Sequence, residues 1–93
     1  MINELIDFIP LKKLEKNYFE GGIIEVSVEE FIEEIKSHIE FGKEMIEHNK
    51  DKKEDFIVEI VNSERNSIIR CNKLLDKLSK INKQTTFSYR REK

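Results

Sequence analysis

The chain has 93 residues, of which 38% are apolar and 39% charged. This length suits one domain with a modest core, and the balance is typical of amphipathic helices with solvated faces rather than of a disordered chain. A single cysteine excludes an internal disulfide framework and a cysteine-based metal cluster. The start MINELIDF is unlike a secretory signal, and no apolar run approaches the roughly 20 residues that span a bilayer, so we expect a cytoplasmic protein.

Charge is unevenly distributed along the chain. Residues 1–69 carry 17 acidic and 9 basic side chains, whereas residues 70–93 carry 8 basic and 2 acidic ones, which together give the net charge of −2. Such a split is typical of a contact with nucleic acid or another acidic surface, and also of two parts of one chain that attract each other. The composition is rich in Ile, Lys, Asn and Glu and lacks Ala, which favours an AT-rich phage or mobile element as the origin.

Short elements are predicted before residue 27. Residues 3–9 fit one or two helical turns. Pro10 suits the first position of a helix over about 10–20, and Gly21-Gly22 would end that helix. The segment GIIEV at 22–26 is interpreted as a short strand or an extended linker.

The first long helix, predicted over about 27–49, has the clearest start signal in the chain. Ser27 and Glu30 have the spacing of a capping box, and Val26 with Phe31 has the spacing of a hydrophobic staple. The apolar positions that follow keep helical spacing and include Gly42, which permits close approach of a second helix. They are Val28, Phe31, Ile32, Ile35, Ile39, Met45 and Ile46.

A second long helix is predicted over about 52–82, after the charged run EHNKDKKED. Asp51 and Glu54 resemble a second capping pair. The apolar stripe of this helix comprises Phe56, Ile57, Ile60, Val61, Ile68, Leu74, Leu75, Leu78 and Ile81. Because the turn is short, the two helices should be antiparallel neighbours.

The sequence therefore predicts a mostly all-α fold in one domain over 1–93. Its main element is a long antiparallel helical hairpin, joined by the short helix over 10–20. Residues 84–93 are interpreted as a basic tail, with pairing of TTFSY at 85–89 against 22–26 as the alternative. The open side of the hairpin must be covered by the 10–20 helix or by a second copy in a four-helix bundle, so a homo-oligomer is expected.

Glu64 and Cys71 interrupt the apolar stripe of the second helix. In an antiparallel hairpin closing near residues 51 and 52, Gly42 would face Val61, and His38 would lie beside Glu64 and Arg65. Because an unpaired buried carboxylate is costly, we expect His38 or Arg65 to pair with Glu64. Cys71 is interpreted as an inert buried side chain.

The function expected is that of a non-enzymatic protein–protein interaction module, acting as a small regulator or inhibitor. No nucleophile motif, phosphate-binding loop or metal triad indicates an enzyme, a metal site or a cofactor. The predicted contacts combine an acidic helix face with apolar residues that lie off the main stripes, namely Glu33, Glu40, Phe41, Glu44 and Ile69.

The alternative is a protein that binds nucleic acid or a small nucleotide. Polar residues cluster over 65–72, and the C-terminal segment combines aromatic side chains with cations, a pairing that can stack on bases and contact phosphate. The candidate residues are Arg65, Arg70, Asn72, Tyr89, Arg90 and Arg91.

Overall fold

The computed structural model describes residues 2–90, without the side chains of residues 2, 3, 11, 17–20, 89 and 90. The elements in chain order are α1 (Ile2–Ile6), α2 (Leu11–Glu20), β1 (Ile23–Ser27), α3 (Val28–Asn49), α4 (Asp55–Ser79) and β2 (Thr86–Arg90). Helices α3 and α4 pack along each other as the predicted hairpin. The mostly helical fold, the hairpin and the short N-terminal helix are thus confirmed.

Helix α3 begins where the capping box predicts. The Ser27 hydroxyl accepts a hydrogen bond from the Glu30 N–H at 3.2 Å. The Lys13 ammonium of α2 donates to the Glu30 carboxylate at 2.8 Å. This bond, helped by the Ser27 backbone N–H, holds the pKa of Glu30 below its ordinary value. Because Val26 and Phe31 are both fully buried, the predicted staple residues lie inside the fold.

The alternative predicted for the C-terminal segment is the one that forms. Strands β1 and β2 pair in antiparallel fashion, with Val26 opposite Phe87. Gly21 has a φ of 63°, which lets the chain leave α2 and enter β1. The inward side chains of β1 are buried, and the Phe87 ring meets the Phe31 ring edge-on at 5.5 Å. The sheet therefore covers the start of α3.

Helix α4 is shorter at both ends than predicted. It begins at Asp55 with Glu54 as its N-cap and without a capping hydrogen bond from the Glu54 side chain, so the capping pair of Asp51 and Glu54 is wrong. Lys50 keeps helical backbone, and the Lys52 N–H donates to the Asn49 carbonyl at 3.1 Å. The charged run thus closes α3 before the chain reverses.

The core lies at one end of the hairpin. We call this end, where the sheet and the N-terminal segment (residues 2–10) pack, proximal, and the end with the turn at 50–54 distal. The buried cluster comprises Leu5, Ile9, Ile24, Val26, Val28, Phe31, Ile35, Ile39, Cys71, Leu74 and Leu78. Val61 is buried but lies outside this cluster. The cluster therefore covers the proximal half of the hairpin and stops short of its distal half.

Candidate functional site

The N-terminal segment defines one side of the hairpin. The Phe8 ring meets the His38 ring of α3 edge-on, with centroids 4.8 Å apart. Phe8 and His38 also line one cleft together with Ser67 and Leu74 of α4. The residues of α3 that share a face with His38, and those of α4 that share a face with Ser67, therefore lie on this same side.

The distal half of this side carries an exposed apolar surface. On α3, Met45 lies two helical turns after His38 and therefore on the same face, with Phe41 between them. On α4, Ile60 lies two turns before Ser67, and Phe56 lies one turn before Ile60. Phe41, Phe56 and Ile60 are 60%, 63% and 46% exposed. We call Phe41, Met45, Phe56 and Ile60 the distal face.

Exposure of Phe56 and Ile60 corrects the prediction that they pack in the seam. Val61 is buried and Ile57 half-buried, so the seam runs through these two residues instead. Phe56 and Ile60 lie on the same side of the hairpin as the N-terminal segment, but that segment covers only the proximal half of this side. The apolar stripe of α4 is wider than a two-helix contact can bury.

Acidic side chains border the distal face. Glu40 and Glu44 lie beside Phe41 on α3, on the side away from α4. Glu59 lies one turn after Phe56 on α4, and all three glutamates are exposed. Glu33, also exposed, continues the acidic row of α3 toward the proximal end. The predicted partner contacts on α3 thus form one exposed surface around Phe41.

Ile69, the remaining predicted partner contact, lies elsewhere. It is 54% exposed and lines a shallow depression along α4 that does not include Phe41. Asn72, one of the candidates for ligand binding, lines this depression too. Ile69 therefore lies next to Asn72, a residue of the predicted nucleic-acid or nucleotide site, and apart from the other predicted partner contacts.

Glu64 does not pair as predicted. His38 is exposed and packs against Phe8, and no ion pair of Glu64 occurs within residues 2–90. Glu64 is half-buried next to Gly42, where an added Cβ would come within 3.0 Å of Glu64 Oε2 and 3.2 Å of Ile68 Cδ1. The atoms nearest to such a Cβ thus belong to Glu64 and Ile68. The glycine leaves room for the Glu64 side chain, which needs no cationic partner because it stays partly in water.

Cys71 is buried, as predicted. Burial raises the pKa of its thiol, while a hydrogen bond with Ser67 and the charge of Arg70 act in the opposite direction. A thiol held in its protonated form is a poor nucleophile. The position fits a core side chain.

The cleft between the N-terminal segment and the hairpin is the second candidate site. Its volume is about 370 Å³. Phe8 and Leu74 supply apolar lining, Arg70, Lys73 and Lys77 supply cations from α4, and Glu4 and Asp7 supply carboxylates from the N-terminal segment. Of the candidate ligand-binding residues on α4, only Arg70 lines it; Arg65 is exposed elsewhere on the helix.

For the candidate residues near the C-terminus, the structure describes the backbone of two but no side chain. Tyr89 and Arg90 belong to β2, opposite Ile24 and Ile23, and their side chains lie outside the described residues. Arg91 lies wholly outside them.

Sequence reasoning missed several residues of both sites. The sequence pattern places Phe56 and Ile60 in the apolar stripe that packs against α3, and it indicates no role for Glu4, Asp7 and Phe8. The acidic and apolar spacing of residues 4–9 was visible, but nothing local indicated that this segment packs against His38 and Leu74.

Within residues 2–90, no helix has the length and apolar character needed to cross a bilayer. The same residues contain no group of three or more His, Cys, Asp or Glu side chains placed to hold a metal ion. Comparison with protein-family models, curated proteins and solved structures gives no significant match to the chain.

Proposed function

We propose that the protein is a non-enzymatic interaction module of the cytoplasm that binds an amphipathic helix of a protein partner. The distal face is the binding surface, and the observation that carries the proposal is the exposure of two phenylalanines and an isoleucine on one side of the hairpin. Contiguous exposed apolar surface with a polar border is typical of protein-binding sites. A small chain that covers a partner helix in this way would act as a regulator or inhibitor, and its composition favours a phage or mobile-element origin.

The shape of the distal face favours a helix as the bound element. The two rows, one from α3 and one from α4, lie on one side of a pair of antiparallel helices, and the apolar face of a third helix can pack along such a pair. Residues 55–67 of α4 extend over about 18 Å. A partner helix of about 12 residues would match this length.

The acidic border favours basic residues on the partner. Residues 41–64 contain seven acidic and four basic side chains, and Glu40, Glu44 and Glu59 surround the apolar rows. A helix with an apolar stripe and flanking Lys or Arg would complement both features. Two distal faces brought together would instead place acidic borders against each other, which is unfavourable.

A synthetic peptide tests this proposal. The probe is a helix-forming peptide of Leu and Lys with apolar residues at helical spacing, and its matched control replaces every Lys by Glu. We expect the Lys peptide to bind and the Glu peptide to fail in isothermal titration calorimetry, because only the Lys peptide complements the acidic border.

Variants show whether binding occurs at the distal face. Phe56→Ser should weaken the peptide about tenfold or more, as loss of a central aromatic contact does. Ile69→Ser is the matched control, since Ile69 is similarly exposed but lies apart from the distal face. Equal losses in both variants, or equal binding of both peptides, would contradict the proposal.

A further inference from the structure

The cleft carries opposite charges on facing walls. Arg70, Lys73 and Lys77 follow each other at intervals of three and four residues and so share one edge of α4. Glu4 and Asp7 lie one turn apart on the opposite wall. Within residues 2–90, no ion pair joins these two walls. Both sets of charged groups are therefore available to a molecule placed between them.

The cationic wall of α4 and the acidic wall of the N-terminal segment would each bind a different chemical group of one ligand. Three cations suit a group that carries about two negative charges, as a phosphate monoester does near neutral pH, better than a single carboxylate. The carboxylates of Glu4 and Asp7 would repel such a group, but they accept hydrogen bonds from hydroxyl or amino groups. The apolar lining from Phe8 and Leu74 lies in the same cleft.

We propose that this cleft binds a small phosphate monoester whose organic part carries hydroxyl or amino donors. The phosphate lies against Arg70 and Lys73, and the donors lie against Glu4 and Asp7. The volume of about 370 Å³ is within the range of small-molecule sites. The cleft is separate from the distal face, so the site does not depend on the proposed partner.

Three probes separate the contributions of the two walls: ribose 5-phosphate, inorganic phosphate and ribose. Chemical shifts of the ¹⁵N-labelled protein are followed as each is added. We expect ribose 5-phosphate to bind about tenfold more tightly than phosphate, a difference of about 1.4 kcal/mol, and ribose alone to give no saturable shift at millimolar concentration. The shifted amides should belong to residues around Phe8, His38 and Arg70.

Matched variants measure the contribution of each wall to ligand binding. Arg70→Gln should weaken the binding of both phosphate and ribose 5-phosphate, whereas Arg65→Gln, at another exposed arginine of the same helix, should leave the binding of both unchanged. The double variant Glu4→Gln with Asp7→Asn should remove the advantage of ribose 5-phosphate over phosphate.

Several outcomes would overturn the proposal. One is the absence of saturable shifts with either phosphate compound. Another is an equal effect of Arg65→Gln and Arg70→Gln, which would indicate diffuse attraction of anions. A third is a Glu4→Gln, Asp7→Asn variant that melts at a lower temperature but keeps the full preference for ribose 5-phosphate. In that case the carboxylates would only hold the N-terminal segment against α4.

Discussion

At Gly42 the two long helices leave little room for a side chain. A Cβ there would lie 3.0 Å from Glu64 Oε2 and 3.3 Å from Ile68 Cγ1. Replacing a helical glycine by alanine stabilises a helix by about 1 kcal/mol, and the crowding offsets part of this gain. We expect Gly42→Ala to change the free energy of unfolding by less than that amount.

A larger side chain at the same position gives the matched comparison. Gly42→Leu should lower the free energy of unfolding by about 1–3 kcal/mol, as overpacking does, because both helices must move apart. Urea denaturation measures both variants. A Gly42→Leu protein as stable as the wild type would show that the helices do not approach closely here.

The buried thiol of Cys71 gives a prediction about pH. Burial raises its pKa in the folded protein, while in the unfolded chain a thiol ionises near pH 8.5 (about the ordinary value). Above that pH the unfolded chain loses the proton first, so the free energy of unfolding should fall as pH rises toward the folded pKa. Below about pH 8.5 the thiol is protonated in both states, so it does not change the free energy of unfolding with pH.

Urea denaturation between about pH 8 and about pH 10 tests this contribution. Cys71→Ala removes the thiol, and its stability should decline less steeply with pH than that of the wild type. The comparison uses the slopes, because the smaller side chain also leaves a cavity that lowers stability at every pH. Parallel declines would contradict the assignment.

Among the elements, α3 has the most strongly determined start. Ser27→Ala removes the hydroxyl that accepts the Glu30 N–H and should lower the free energy of unfolding by about 0.5–2 kcal/mol. Ser37→Ala is the control: Ser37 is exposed within the same helix, where alanine is the better helix former. Thermal or urea denaturation should therefore move the two variants in opposite directions, and equal shifts would show that the cap contributes nothing.

The elements differ in how well local sequence predicts them. The cap at Ser27 and the stop at Gly21-Gly22 depend on neighbouring residues, and both are confirmed. The pairing of β1 with β2 joins residues about sixty positions apart, so alternation in each segment could only suggest it. The predicted start of α4 is wrong. Asp51 and Glu54 have the spacing of a capping pair, but the C-cap of α3 is Lys50, whose backbone is still helical, so the turn extends over these residues.

Burial along the hairpin depends on where the N-terminal segment and the sheet pack against it, which the sequence does not reveal. Leu74 and Phe56 both belong to the apolar stripe of α4, but Leu74 is buried in the core that includes Leu5 and Ile9, and Phe56 is exposed. Periodicity identifies the apolar side of a helix. It does not say how far along the helix another element covers that side, so the cleft and the exposure of Phe56 and Ile60 could not be predicted, whereas the exposure of Phe41 follows from its position off the main stripe.

For the molecule as a whole, the balance of charge changes sign along the chain from the distal residues to the proximal part of α4, while the proximal part of α3 stays acidic. The distal residues 41–64 have seven acidic and four basic side chains, whereas residues 65–80 have five basic and one acidic. The distal face therefore combines an apolar surface that favours self-association with acidic borders that oppose it. We propose that a homodimer forms through the distal faces only when this repulsion is screened.

Salt should then affect the two modes of binding in opposite directions. Raising NaCl from about 0.1 M to about 1 M shortens the Debye length from about 10 Å to about 3 Å. We expect dimerisation, measured by sedimentation velocity, to increase over this range and to be lost in Phe56→Ser but not in Ile69→Ser. Binding of the Leu/Lys peptide should weaken over the same range, since its attraction to Glu40, Glu44 and Glu59 is screened. A dimer that dissociates as salt rises would instead indicate contact between the acidic distal end of one copy and the basic residues 65–80 of the other.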